Sequence, residues 1–262
     1  QQFDNPEEAW SLVKGEIDQG RPVMVWCDIA ELPYLRVRLS NTRHDVVVIG
    51  YDDQQNTVFI VDNDREDVQE VPAEAFRRAH GSSGFPDPNR FATYPMRFPG
   101  QLPDLLACAR DAAASAARVL GGQDALLFDV SSLPEGSLVA SGLDGVQAFA
   151  DDITTWPYRL GPDELTAAVR SLPVFVEKAG TGGGFFRRLE ASFCRDVARA
   201  TGDARFATAA EACQHSADGW STLGEVARSE PMDIQAISDA AQRLPALELA
   251  MQQALADAGA EH

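Results

Sequence analysis

The sequence is poor in cysteine, and its few cysteines form no recognisable ligand pattern. Cys27, Cys108, Cys194 and Cys213 are scattered, with no C-x-x-C pair and no cluster with histidine at metal-ligand spacing. A disulfide framework and a structural zinc site are therefore not expected. Such cysteine usage favours a reducing, cytoplasmic location. We predict neither a metal ion nor an organic cofactor.

Basic residues and long apolar runs are also scarce. Lysine and arginine total 22 against 40 aspartates and glutamates, so the chain of 262 residues has a formal net charge of −18. Such a surface repels phosphate backbones, and nucleic-acid binding is not expected. No apolar run approaches the roughly 20 residues of a membrane helix. No signal peptide is visible, so no membrane partner is predicted.

The first hundred residues alternate short helices and strands. Asn5 and Pro6 begin a helix that ends at Gly20, and residues 21–27 follow as a buried strand. Strands are predicted at 44–51, 57–62 and 68–71, and a short helix at 72–79. Residues 81–103, rich in proline, glycine and serine, predict a loop or interdomain connection. The pattern indicates an α+β domain over residues 1–100.

Beyond residue 100 the chain becomes alanine-rich and helical. Glycine, proline or aspartate separates six predicted helices, at residues 104–120, 142–155, 162–172, 185–201, 204–228 and 233–258. The pattern indicates an all-helical bundle over residues 101–262.

A histidine and an aspartate lie at matching positions of the predicted hairpin. If the hairpin is symmetric about Asp53, Val48 faces Val58 and His44 faces Asp62. Directly opposed side chains lie roughly 5 Å apart at Cβ, which suits a carboxylate that orients an imidazole. His44 is then a general base and acid, and Asp62 fixes its tautomer. The alternative is a purely structural histidine.

The nucleophile that would complete a triad is not evident. Cys27 is the cysteine nearest the hairpin, but it ends a buried strand, whereas reactive thiols favour helix N-termini. Core packing is therefore the favoured interpretation of Cys27. Asp28 and Tyr34, in the loop before His44, are candidate substrate-binding residues. A simple loop role is the alternative for both.

A glycine-rich segment at residues 181–184 precedes a helix that carries Arg187 and Arg188. Glycines before a helix N-terminus can hold an anion. The segment lacks the P-loop lysine and the dinucleotide-binding fingerprint. A flexible helix entry or close domain packing is therefore favoured over phosphate binding.

These segments together resemble the butirosin biosynthesis protein H family. In the first domain the resemblance rests on residues 21–26, 28, 32–34, 44–52 and 58–62, and in the second on residues 156–157, 181–189, 193 and 220. It covers most of the chain. The resemblance implies a papain-like cysteine-protease fold, related to the double-glycine peptidases, in residues 1–100, followed by the family's helical domain.

The resemblance also implies a chemistry. The family's named member is an acyltransferase that moves an aminoacyl group from a carrier protein onto an aminoglycoside. By this resemblance His44 is the catalytic histidine and Asp62 its carboxylate partner. The donor is an acyl carrier protein or another thioester, and the acceptor is a small-molecule amine. The alternatives are a non-catalytic binding module of the same fold, and a thioesterase or amidase that uses the same pair.

One departure from the family pattern concerns the nucleophile. In such folds the cysteine opens a helix well before the histidine, whereas few residues precede His44 in this chain. We therefore expect the family's first segment, with its cysteine, to be absent from this sequence. Loss of that segment would leave a pseudoenzyme, and its presence elsewhere would complete the triad. The sequence leaves the oligomeric state open, a homo-oligomer included.

Overall fold

The computed structural model describes residues 1–63, 65–123, 140–178 and 182–260. Its contacts divide the chain into two compact units, Gln1–Gly100 and Gln101–His262. The first unit is α+β, and the described elements of the second are all helices. None of the helices in these ranges combines the length and the apolar character that a membrane span requires.

An antiparallel sheet of five strands organises the first unit. The strands are β1 (Val23–Cys27), β2 (His44–Asp52), β3 (Thr57–Val61), β4 (Gln69–Pro72) and β5 (Thr93–Pro95), in the order β4-β3-β2-β1-β5. β5 lies in the stretch for which composition predicts a loop, and that prediction is wrong there. Thr93 pairs with Val25 of β1, so β5 is stabilised by a long-range pairing that local composition does not reveal.

Two helices cover one face of this sheet. They are α1 (Pro6–Ile17) and α2 (Ala73–His80). Asn5 caps α1, as the sequence predicts, by accepting a hydrogen bond from the backbone N–H of Glu7 at 2.9 Å. Val13 of α1 and Phe76 of α2 join alternate strand residues in one buried core. That core supports the strand ends on which the candidate site lies.

The β2–β3 hairpin contains a bulge. Gly50 pairs with Phe59, and the next pair joins Val48 to Ile60. Ile49 is therefore an extra residue of β2 with no opposite partner, which defines a β-bulge.

The hairpin is centred between Gln54 and Gln55 instead of on Asp53. The Asp52 carboxylate accepts hydrogen bonds from the backbone N–H groups of Gln54 and Gln55, at 2.8 and 3.0 Å. This local hydrogen bonding is typical of aspartate in turns, and it closes the ladder with Asp52 opposite Thr57. The predicted hairpin symmetric about Asp53 is therefore wrong.

Six helices form the described part of the second unit. They are α3 (Leu105–Leu120), α4 (Gly142–Arg159), α5 (Pro162–Glu177), α6 (Arg187–Thr201), α7 (Ala204–Val226) and α8 (Ile234–Gly259). The predicted ends of α4 and α5, at residues 155 and 172, are wrong because both helices continue through a proline, Pro157 and Pro173. Trp156, adjacent to Pro157, and Val176, three residues after Pro173, are buried in the core, and this packing outweighs the lost backbone hydrogen bond.

A buried ion pair joins α6 to α8. Arg187 donates two hydrogen bonds, both 2.8 Å long, to the two carboxylate oxygens of Glu248, which is fully buried. Ser216 and Trp220 of α7 donate to the same carboxylate at 2.7 and 2.6 Å. The carboxylate is thus compensated by one cation and two neutral donors, as a buried charge requires.

The glycine-rich loop before α6 is filled by protein side chains. Gly183 has φ +81°, and a Cβ there would lie 2.3 Å from the Arg188 guanidinium and 3.0 Å from the Glu177 carboxylate. Arg188 and Glu177 form an ion pair at 3.1 Å. This packing supports the interpretation as a helix entry, since the Glu177 carboxylate would repel an anion. Thr181 lies outside the described residues.

Candidate active site

The sheet register places His44 beside Cys27. His44 is the first residue of β2, Cys27 is the last of β1, and the two are directly paired. Opposed residues of an antiparallel pair project from the same face. His44 therefore lies at the end of the buried face of the sheet, where its imidazole is about one-fifth exposed.

Asp62, which follows β3, hydrogen-bonds the His44 imidazole. The Nε2 atom of His44 lies 2.8 Å from Oδ2 of Asp62, a carboxylate with no exposed surface. The two residues are not directly opposed, since Val47 pairs with Val61. They are diagonal neighbours on one face, a separation that a long side chain can span. The contact is thus present, although the register from which it was expected is wrong.

Tyr34 makes a second hydrogen bond to Asp62. Its hydroxyl donates a short bond to the same Oδ2 atom that His44 contacts. Burial, and then the bond to Asp62, raise the pKa of Tyr34 well above its usual value, so the hydroxyl stays protonated as a donor. Arg65 donates to the backbone oxygen of Tyr34 at 2.9 Å. Arg65, which the sequence did not single out, thereby helps hold the Tyr34 loop.

The hydrogen-bond geometry leaves one nitrogen of the His44 imidazole available for proton transfer. An ionised carboxylate only accepts hydrogen bonds, so Nε2–H of His44 donates to Asp62 and Nδ1 carries the lone pair. No residue in the described ranges hydrogen-bonds Nδ1. Nδ1 is therefore the nitrogen that can take a proton from a nucleophile, with Asp62 stabilising the resulting imidazolium.

Cys27 does not have the properties of an activated nucleophile. Its side chain is completely buried in the core of the first unit. Burial raises the pKa of the Cys27 thiol far above its usual range, and the nearby carboxylates of Asp62 and Asp28 raise it further. This agrees with the core-packing interpretation of Cys27. The other three cysteines belong to the helical unit, where Cys194 and Cys213 are buried and Cys108 is exposed.

Asp28 is buried, and its carboxylate organises the surrounding loops. Ser40 and Ser82 each donate a hydroxyl hydrogen bond at 2.7 Å, and the backbone N–H groups of Ala30 and Asn41 donate at 3.0 and 3.1 Å. Burial alone would raise the pKa of Asp28, but these four bonds lower it below its usual value. A substrate contact by Asp28 would have to displace one of them, so its substrate-binding role stays a prediction.

We expect Asp28→Ala to lower the free energy of unfolding by about 1–3 kcal/mol, because four donors lose their acceptor. Urea unfolding of both proteins measures the difference. Asp67→Ala on the exposed surface is a matched control and should change stability little. Equal stability of Asp28→Ala and wild type would show that water replaces the carboxylate without cost.

A metal site is not assembled around this pair or elsewhere in the parts of the chain that the structure describes. Those ranges contain no group of three histidine, cysteine, aspartate or glutamate side chains placed to share an ion. The arrangement places the His44 imidazole next to the Asp62 carboxylate, a pairing that can serve as an oriented general base.

Two family models match the chain. The one described as "Butirosin biosynthesis protein H, N-terminal" matches residues 1–63, which include His44 and Asp62. The one described as "Domain of unknown function (DUF4872)" matches residues 74–255, more than half of the chain. A comparison with curated proteins gives no match. The chain therefore belongs to the butirosin biosynthesis protein H family, with the N-terminal domain of that family followed by its domain of unknown function.

Proposed function

We propose that this protein is a cysteine-dependent acyltransferase of natural-product biosynthesis, acting in the cytoplasm. It would move an acyl or aminoacyl group from a carrier-protein thioester to a small-molecule amine. The observation that carries the proposal is the His44–Asp62 pair, with Nε2 held at 2.8 Å and Nδ1 left for proton transfer. The family's name, from butirosin biosynthesis, supports the pathway class.

The proposed cycle uses His44 twice. Nδ1 takes the proton of the cysteine thiol, the thiolate attacks the thioester carbonyl carbon, and the carrier sulfur leaves with that proton. The acceptor amine then attacks the acyl-enzyme carbonyl and gives a proton to Nδ1, which passes it to the departing cysteine sulfur. Each half of the cycle moves one acyl group and one proton, so no cofactor is consumed.

The nucleophile in this proposal is a cysteine other than Cys27. Cys27 is a poor candidate because its buried, protonated thiol is inaccessible to a thioester. The antiparallel sheet, with histidine opening one strand and aspartate following the next, is compatible with a papain-like arrangement. We propose that fold for the first unit on the strength of this arrangement and the family membership.

The decisive experiment is intact-mass spectrometry of the full-length protein after incubation with a simple acyl thioester. An adduct that maps to one cysteine and is absent from His44→Ala would support covalent catalysis and identify the nucleophile. An adduct released by water instead of an amine would favour a thioesterase, and turnover of amide substrates would favour an amidase. No adduct and no turnover, with both proteins folded, would overturn the proposal.

A non-catalytic binding module of the same fold is the second candidate. The observation that favours it is that Cys27, the cysteine paired with His44, is buried and protonated. The same mass measurement separates the two functions. A folded protein that binds a carrier but forms no adduct would be the module.

The loop before His44 fits an acidic donor protein. This loop, residues 35–43, carries Arg36, Arg38 and Arg43 and no carboxylate, in a chain of net charge −18. Arg36 and Arg38 are exposed and form no ion pair with the described residues, and Leu39 beside them is 74% exposed. Cationic and apolar side chains next to a reactive histidine are suited to docking a carrier protein of opposite charge.

We expect Arg36→Glu/Arg38→Glu to lower kcat/KM for a carrier-bound thioester about tenfold, since charge complementarity speeds encounter. Steady-state rates at low and high salt measure the effect, which should shrink at high salt. A free pantetheine thioester of the same acyl group should be unaffected. Arg170→Glu/Arg228→Glu, the same change in charge on the helical unit, is the control. An equal loss with the free thioester would contradict carrier docking by this loop.

A further inference from the structure

The helical unit contains a large cavity that the proposed chemistry does not use. Its volume is about 1070 Å³, just above the usual range for small-molecule sites. Residues of all six helices line it, and every described lining residue belongs to this unit. It is therefore a feature of the second unit alone.

Aromatic rings form much of the cavity wall. The ring centroid of Trp220 lies 4.8 Å from that of Phe185 and 5.7 Å from that of Phe149. Phe175 and Phe186, which also line the cavity, are 60% and 48% exposed. Exposed aromatic residues around a concave surface indicate a binding site for an apolar body.

The charged residues of the cavity wall favour a cationic ligand. Arg187 is the cation among the described lining residues, and its guanidinium is committed to the Glu248 carboxylate and the Phe185 backbone oxygen. Glu190, one turn along α6, is the lining carboxylate, and no side chain in the described ranges hydrogen-bonds it. A partly buried carboxylate without a donor is costly until a ligand supplies one.

The raised pKa of Glu190 is consistent with a carboxylate that lacks a hydrogen-bond donor. Burial raises the pKa of its carboxyl, and the charge of Arg187 only partly offsets this. A ligand ammonium would stabilise the carboxylate and would also be attracted to the faces of the neighbouring aromatic rings. An anionic ligand would meet Glu190 with no uncommitted cation among the described lining residues to hold it.

We propose that this cavity binds an organic amine with a hydrophobic body, whose ammonium group pairs with Glu190 and whose apolar part packs on the aromatic wall. The inference goes beyond the proposed acyl transfer and does not depend on it. A site for such a compound in the helical unit would give the family's domain of unknown function a ligand class.

Three probes with the same chain and different charge test this inference. They are octylammonium, 1-octanol and octanoate, and their binding to the full chain is followed by titration calorimetry and by tryptophan fluorescence, to which Trp220 contributes. We expect octylammonium to bind at least ten times more tightly than octanol, with octanoate the weakest. Glu190→Gln should remove the preference for the amine while leaving octanol binding unchanged.

The control is Glu211→Gln, an equal change in charge at an exposed position of α7, which should retain the preference. Thermal unfolding of all three proteins verifies that they are folded. The proposal is overturned if the preference for the amine survives in Glu190→Gln, if Glu211→Gln loses it equally, or if no probe binds at millimolar concentration. None of these outcomes bears on acyl transfer at His44.

Discussion

Replacing His44 with alanine is expected to reduce acyl transfer by at least about 10³-fold while the protein stays folded. The reason is that the proposed cycle uses Nδ1 of His44, which the Nε2 bond to Asp62 leaves available, as its proton acceptor. Without it, a cysteine thiol remains largely protonated near neutral pH, and the leaving sulfur loses its proton donor. Rates of amine acylation from a saturating thioester measure the effect.

His215→Ala is the matched control, since it removes an exposed histidine of the helical unit and should leave the rate unchanged. His44→Gln keeps a polar side chain next to Asp62 and should be as inactive as His44→Ala, which separates catalysis from stability. A His44→Gln variant with a rate within tenfold of wild type would rule out the general-base role.

Replacing Glu248 with alanine is expected to lower the free energy of unfolding by about 3–5 kcal/mol. The substitution leaves the partly buried Arg187 guanidinium without its bidentate partner, and removing one member of a buried pair costs about this much. Ser216 and Trp220 also lose their acceptor. Chemical denaturation followed by far-UV circular dichroism measures the loss.

The double variant Arg187→Met/Glu248→Leu is the informative comparison, because it removes both charges together. It should be markedly more stable than Glu248→Ala, since no uncompensated charge stays buried. A double variant less stable than the single one would mean that the ion pair contributes stability beyond mutual compensation of its two charges.

The same pair links stability to pH. Burial acts to raise the pKa of Glu248, but the Arg187, Ser216 and Trp220 contacts lower it below its usual value. A carboxyl whose folded pKa is lowered stabilises the protein above its unfolded pKa of about 4.3, and this contribution disappears as pH falls through the folded pKa. Wild type should therefore lose stability more steeply on acidification than the Arg187→Met/Glu248→Leu variant.

The elements of the first unit could be predicted from sequence because their signals are local. Short continuous runs of β-branched and other apolar residues identify β2 and β3, and Asn5 with Pro6 identifies the start of α1. β5 has no such signal, since Thr93 is held in place by pairing with β1. Likewise Pro157 predicts a helix end that the burial of the adjacent Trp156 overrides.

The contact between His44 and Asp62 could be predicted from the sequence, but its geometry could not. The types and positions of His44 and Asp62 in the sequence predict a base and its orienting carboxylate. The second donor to Asp62, Tyr34, lies 28 residues away, and Arg65 reaches Tyr34 through its backbone oxygen. Such contacts depend on how loops return to the sheet, which no spacing in the sequence encodes.

The bulge at Ile49 has a consequence for how this site tolerates change in chain length. Side chains alternate between the faces of a strand, so a shift of one residue moves them to the opposite face. Nearest the turn, Gly50 is opposite Phe59. If the ladder continued from this pair with Ile49 included, Asp62 would lie on the face away from His44. Because Ile49 is left unpaired, the register shifts by one residue and His44 and Asp62 lie on the same face. Deleting Ile49 would therefore remove the bulge and keep both flanking pairs, whereas deleting Val47 from the same strand would move His44 to the face away from Asp62.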